Sequence, residues 1–210
     1  MKTLLLVGAT GVVGQQVLAQ ALAHPGVARV VAPTRRALQP HPKLLNPVID
    51  FAQLPEQADW WKADAVVCTL GTTIKQAKSA EAFRAVDLHL VRAVATLAWQ
   101  AGTPCFVLNS STMASPKAKG LYLRTKGEAE QAVKALGFPS LTLARPGLLD
   151  GQRAEFRLAE EIGVRASRLF NPLLPKRLRS VPVNKLAEVM LGCAVLATPG
   201  ENVLESENFH

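Results

Sequence analysis

Tyr122 and Lys126 lie four residues apart, downstream of an apolar run that ends in the serine pair Ser110-Ser111. On a helix that spacing puts both side chains on one face. A phenol with an ammonium one turn away can pass a proton to or from a carbonyl oxygen, because the ammonium stabilises the phenolate left behind. A serine hydroxyl bonded to the same oxygen would help to place it. Tyr122 is the only tyrosine in the chain. A Tyr-x-x-x-Lys spacing also arises by chance, so its meaning depends on the rest of the sequence.

The N-terminus supplies a companion signal. Residues Lys2 to Gly14 run from an apolar stretch into a glycine-rich turn and then into a helical pattern. In a dinucleotide-binding loop Gly8 permits the tight turn, Gly11 lets the backbone approach a pyrophosphate, and Gly14 lets the helix pack close to the sheet. The helix N-terminus adds free N–H groups and a positive dipole end. Arg35 follows Gly14 by 21 residues, beside Arg36. An acidic residue at about that distance binds the ribose hydroxyls of NAD. Two guanidinium groups instead favour a 2′-phosphate, and so NADP(H); a solvated basic loop is the alternative. Asp50-Phe51, after a third strand, is placed to flank the adenine. Leu70-Gly71-Thr72-Thr73, after a fourth, is placed to pass close to the cofactor. Plain loops explain these two equally well.

Other chemistries find little support. His24, His41, His89 and His210 are isolated and form no metal-spaced cluster with cysteine or acid, so no metal is expected. No Gly-x-Ser-x-Gly elbow and no Gly-Lys-Ser/Thr loop ending occurs. Cys68, Cys105 and Cys193 lie in apolar runs without CxxC spacing and read as buried free thiols in a reducing compartment. The net charge of +8 comes from basic residues dispersed except at Arg35-Arg36, Lys117-Lys119 and Lys176-Arg177-Arg179, with no interleaved aromatics, so nucleic acid is not an expected partner. No signal peptide and no apolar run of about 18 residues is visible, which sets the expectation of a cytoplasmic protein without a membrane span.

These residues need a scaffold, and the chain supplies a regular β–α alternation. Strands are expected at Thr3–Val7, Ala28–Ala32, Leu45–Ile49, Ala65–Leu70, Cys105–Leu108 and Ser140–Ala144. Helices are expected at Gly14–Leu22, Ser79–Ala101, Leu121–Leu136 and Asn184–Ala197. This order argues an α/β fold with a doubly wound parallel sheet, whose ligand lies beyond the C-terminal strand ends. With 49% apolar residues, the chain reads as one domain over 1–210. Residues 147–183, rich in prolines, read as a small substrate-side lobe. Leu148, Phe170, Leu173 and Val181 are candidates either for an apolar wall over the reacting carbon or for core packing.

Taken together, Gly8-Ala-Thr-Gly-x-x-Gly14, Leu70-Gly-Thr-Thr73, Asn109-Ser-Ser111, Tyr122-Leu-x-x-Lys-Gly-Glu128, Arg145-Pro-Gly147 and Ser180-Val-Pro-Val183 resemble the short-chain dehydrogenase/reductase superfamily. The set most resembles the atypical branch typified by the Tat-interacting-protein oxidoreductases. The likeness implies a Rossmann-type fold with Tyr122 as proton donor or acceptor, Lys126 supporting it, and Ser111 orienting the carbonyl, the second serine being the one the family uses. It implies a cofactor shell of Gly8, Thr10, Gly11, Val12, Val13, Gly14, Arg35, Arg36, Asp50, Phe51, Leu70, Gly71, Thr72, Tyr122, Lys126, Pro146 and Leu148. Leu70-Gly71-Thr72 replaces the usual Asn-Ala-Gly, and Asp87 stands where the helical Asn of the family's proton relay is found. The expected activity is NADP(H)-dependent hydride transfer to or from a small carbonyl or alcohol. The alternative is an NADP(H)-binding regulatory or redox-sensing protein with little turnover, acting through a protein partner.

Overall fold

The computed structural model describes residues 1–150 and 180–210. Strand β1 (Lys2–Val7) shows why its apolar run is a strand: Leu4 and Leu6 enter one core layer, Leu5 and Val7 the other. A strand buried on both faces needs such continuous apolarity. With β2 (Val27–Val31), β3 (Leu44–Leu45), β4 (Ala65–Cys68), β5 (Cys105–Asn109), β6 (Ser140–Arg145) and β7 (Gly200–Glu205) it forms one sheet. The order is β3-β2-β1-β4-β5-β6-β7 and the pairings are parallel. Helices α1 (Val12–Ala23) and α6 (Val183–Leu196) pack on one face, burying Val17, Ala21, Leu186 and Met190. Helices α4 (Val91–Gln100) and α5 (Leu121–Lys134) cover the other, with Val94, Ala98 and Val133 against Phe106 and Leu143. This is the doubly wound α/β fold the sequence implies. The chain winds outward from β1 to β3, then crosses back to β4, so the switch point lies between β1 and β4.

The structure departs from the sequence reading in three elements. The third strand does not run over Leu45–Ile49. Its ladder spans only Leu44–Leu45, followed by an isolated bridge between Thr34 and Val48. Pro47 has no N–H to offer the ladder, which explains the break. The helix expected over Ser79–Ala101 is a series. A short α2 (Ile74–Ala77) precedes α3 (Ala80–Arg84), which Ser79 caps by accepting from the Ala82 N–H at 3.0 Å. A π-helix (Ala85–Leu90) then leads into α4. Strand β7 is an addition: at the sheet edge it buries few side chains and carries no apolar run.

Residues 147–183 lie only partly within the described chain. Leu149 and Val181 form a parallel bridge. The Val181 N–H donates to the Leu148 carbonyl at 2.8 Å and the Asp150 N–H to the Val181 carbonyl at 3.1 Å. Val181 belongs to the core layer of α1 and α6, while Leu148 is exposed. Phe170 and Leu173 lie outside the described residues.

All three cysteines are free, Cys68 and Cys105 buried and Cys193 only half-buried. Burial pushes the Cys68 thiol up from 9.0 to about 11, against the Leu70 backbone and the Lys126 charge, which favour the thiolate. Its pKa is raised on folding, so its stabilising contribution is complete below about pH 9 and is lost as pH rises toward 11. We expect this one group to steepen alkaline destabilisation by about 1.4 kcal/mol per pH unit in that window. Urea unfolding at pH 8 to 11 checks this: Cys68→Ala should show the shallower slope, and equal slopes would rule the thiol out.

Candidate active site

The glycine loop is built by close backbone contacts. Gly8 takes φ +94°, and a β-carbon there would lie 2.7 Å from the carbonyl carbon and hydroxyl of Thr69. That hydroxyl reaches the Val7 and Gly8 carbonyls, each at 3.1 Å, tying the ends of β1 and β4 together. The Gly11 N–H closes the turn on the Gly8 carbonyl at 3.0 Å. A β-carbon on Gly14 would overlap the Gly8 carbonyl oxygen, so this glycine sets how closely α1 approaches the loop. Gly11 caps α1 with no side-chain bond, and the first turn carries no acidic residue. The first-turn N–H groups are thus open to an anion.

A cavity of about 670 Å³ lies at the C-terminal strand ends. That falls within the roughly 300–1,000 Å³ typical of small-ligand sites. Gly8, Thr10, Gly11, Val12, Val13, Arg35 and Phe51 line it toward the loop; Leu70, Gly71 and Thr72 follow; Ser111, Tyr122, Lys126 and Pro146 line its other end. Four residues of the expected shell do not line it. Gly14 lies behind the loop. Arg36 is exposed beyond the turn in which the Thr34 hydroxyl donates to its carbonyl at 2.6 Å. Asp50 instead closes its own turn, accepting from the Ala52 N–H at 2.9 Å. Leu148 faces solvent while its neighbours Gly147 and Leu149 line the cavity, as alternation along an extended segment requires.

Helix α5 carries Tyr122 and Lys126 into this space. Tyr122 is 37% exposed, its ring 5.9 Å from that of Phe83. Lys126 is buried, and its ammonium pairs with Asp87 Oδ1 at 2.8 Å. Burial works against the ammonium, but Asp87, with help from Tyr122, outweighs it, so the Lys126 pKa is raised. The other Asp87 oxygen accepts from the Thr72 N–H at 2.8 Å. The two serines differ in what they bond. The Ser110 hydroxyl is buried and donates to Glu130 Oε1 at 2.6 Å, whereas that of the half-buried Ser111 makes only a local 3.2 Å bond to the Thr112 carbonyl. Ser111 is therefore the hydroxyl left to meet a ligand.

Sequence reasoning missed three supports of this site. Gly127 sits mid-helix, where glycine costs about 1 kcal/mol relative to alanine. A β-carbon there would overlap the backbone of Ser115 and Pro116, so its absence lets α5 lie against the segment after Ser111. That helix-interior glycine was the available signal. Asn109 lines the cavity, and its Oδ1 is buried without a hydrogen-bond partner among the described residues. Glu130 receives Arg145 through two bonds, Nε to Oε1 at 2.9 Å and Nη2 to Oε2 at 2.6 Å, and Arg145 Nη1 reaches Glu205 at 3.1 Å. This network joins α5 to the ends of β5, β6 and β7. Its hydrogen bonds, that to Glu130 foremost, hold the Arg145 pKa above its ordinary value. Nothing in single-sequence spacing marks such a pairing.

Known proteins resemble this chain in sequence and fold. A family model described as NAD(P)H-binding matches residues 8–194. Protein HTATIP2 of Rattus norvegicus is 34% identical over 212 residues, spanning 97% of this chain and 85% of that protein. Protein fmp52, mitochondrial, of Emericella nidulans is 35% identical over 170 residues, spanning 77% and 73%. Among solved structures, the Bordetella bronchiseptica enzyme WbmH in complex with NAD+ superposes with a TM-score of 0.70 at 20% identity, over 98% of this chain and 76% of that one. That last likeness is one of fold. The fungal relatives' names read mitochondrial, which overturns the cytoplasmic location expected from sequence. That expectation rested on seeing no signal peptide and no membrane-length apolar run, and neither absence is a compartment address. No helix among the described residues is long and apolar enough to cross a membrane. The family model over most of the length and the rat relative agree: the chain belongs to the NAD(P)H-binding family, as an atypical short-chain dehydrogenase/reductase.

Proposed function

We propose that the protein is an NADP(H)-dependent oxidoreductase acting on a small carbonyl or its alcohol. One observation carries the reading: a single cavity holds the glycine loop and Arg35 toward one end and Ser111, Tyr122 and Lys126 toward the other. The residues present suit a nicotinamide dinucleotide. The uncapped α1 N-terminus and the Gly8–Gly11 loop would hold its pyrophosphate, and Arg35 a 2′-phosphate. When bound, that cofactor supplies or accepts the hydride. The protein's own part is proton transfer and placement. Tyr122 gives its proton to the carbonyl oxygen in reduction and takes it back in oxidation. The Ser111 hydroxyl donates to the same oxygen and fixes its direction. The Lys126 ammonium, one turn below, favours the phenolate that remains.

The 2′-phosphate contact is directly measurable. NADPH should bind at least about tenfold more tightly than NADH, since a charge-assisted hydrogen bond is worth roughly 1.5–3 kcal/mol. Calorimetry with both nucleotides reads the ratio. Arg35→Ala should remove most of the preference and Arg36→Ala little, because only Arg35 lines the cavity. Equal affinities in the parent protein would reject the NADP(H) assignment. A broad carbonyl screen with bound NADPH tests turnover, and complete inactivity would favour cofactor sensing over catalysis.

A further inference from the structure

We propose that Asp87 is a positioning residue of this site, a single buried carboxylate that keeps the Lys126 ammonium charged and aimed while anchoring the backbone of the Leu70–Thr72 segment. The inference rests on reading Lys126 as part of the working site, but its first test does not.

The geometry is unusual for a helix interior. Asp87 lies within the π-helix, fully buried, on an element otherwise buried through Leu88. A widened helical turn of this kind often marks a functional position. An ionised carboxylate so placed is strongly destabilising unless its oxygens are engaged. Both are, and neither partner lies in its own helix. Oδ1 takes the ammonium of Lys126 from α5 at 2.8 Å, and Oδ2 takes the amide of Thr72 from the loop after β4 at 2.8 Å. Gly71 passes beside the ion pair: a β-carbon on it would stand 3.4 Å from both Asp87 Oδ1 and Lys126 Nζ. One side chain therefore connects the lysine to the stretch of backbone that lines the middle of the cavity.

The charges around Lys126 make Asp87 decisive. Among the described residues three titratable groups face the ammonium: Asp87 from the π-helix, Tyr122 from α5 and Cys68 from the end of β4. Burial keeps the Cys68 thiol protonated at neutral pH, and in the proposed reduction Tyr122 holds its proton until it donates it. Glu128, on the same helix, is taken by Arg84 at 2.6 Å. Asp87 is thus the counter-charge that offsets the burial of Lys126 at the pH where the site works. Without it a buried lysine tends to lose its proton. An asparagine in its place would also have one acceptor oxygen for two donors, so either the lysine or the Thr72 amide would go unheld.

The test follows Lys126 by NMR in protein carrying ¹³C-labelled lysine, without cofactor, with Lys126→Arg identifying the resonance. In the parent protein the ε-carbon should keep its charged-form shift up to about pH 10. Titration at lower pH overturns the proposal whatever any variant does. In Asp87→Asn the midpoint should fall by at least one pH unit, and in Asp87→Glu, which keeps the carboxylate, it should stay nearer the parent value. An unchanged midpoint in Asp87→Asn would also overturn it. NADPH affinity provides the second readout. It should be nearly flat from pH 8 to 10 in the parent and should decline across that range in Asp87→Asn as the ammonium is lost. If the NMR midpoint shifts while affinity stays flat in both proteins, Asp87 holds the lysine but the lysine does not serve the cofactor. In that case the place of Lys126 in the cofactor shell fails and the pairing stands.

Discussion

Tyr122→Phe is expected to lower carbonyl reduction by about 100-fold or more while leaving NADPH affinity nearly unchanged. The substitution keeps the ring against Phe83, from which it is 5.9 Å distant, and removes only the hydroxyl. Tyr122 is partly exposed at the cavity, so losing its oxygen strands no buried partner and should hardly alter stability. The remaining rate would come from proximity and from the Ser111 hydroxyl, which do not move a proton. Steady-state kinetics with NADPH and a responsive carbonyl, paired with calorimetry, separates the two quantities. A variant that turns over at the parental rate removes Tyr122 from the chemistry. One that loses affinity in parallel assigns it to binding instead.

Glu130→Ala should be the most damaging change to stability, lowering it by about 3 kcal/mol and the melting temperature by roughly 6–12 °C. The buried Glu130 carboxylate accepts three bonds, one from the Ser110 hydroxyl and two from the Arg145 guanidinium. Among the described residues its removal leaves Ser110 without an acceptor and Arg145 with only Glu205, whose side chain is partly solvated. Glu130→Gln keeps the shape and one acceptor and should lose less. Calorimetric melting of both variants at neutral pH is the check; a shift under about 2 °C for the alanine variant would mean that solvent already compensates Arg145. The network also underlies the end of β5, so the stability loss should be accompanied by weaker turnover through a less fixed Ser111.

The extent to which sequence foretold this molecule follows from the range of each interaction. Strands β1, β4, β5 and β6 were legible because burial on both faces forces unbroken apolar runs, and α1 because glycines and apolar spacing mark its start. The third strand was overextended because Pro47 acts through a missing N–H that apolar patterning ignores. The edge strand β7 escaped because Gly200–Glu205 needs no apolar run when β6 supplies its partner. In the site, Tyr122, Lys126 and the glycine loop are local patterns and were readable. Asp87 and Glu130 act on residues 39 and 15 positions away, and such pairings leave no periodic trace. Arg36, Asp50 and Leu148 were each placed one residue from a position that lines the cavity. Chain order locates a loop, whereas side-chain direction depends on turns it does not encode.

The bridge between Leu149 and Val181 brings together two positions 32 residues apart in sequence. The junction is held by the Leu148, Asp150 and Val181 backbone bonds and lies against the cavity that Leu149 lines. Closing a flexible loop costs only about 0.6 kcal/mol more for each doubling of its length. In evolutionary terms Leu149 and Val181 are therefore splice points: chimeras joined there exchange one contiguous segment of sequence while keeping the glycine loop and the Tyr122–Lys126 helix, and they are the natural way to ask in the laboratory whether that segment sets ligand choice.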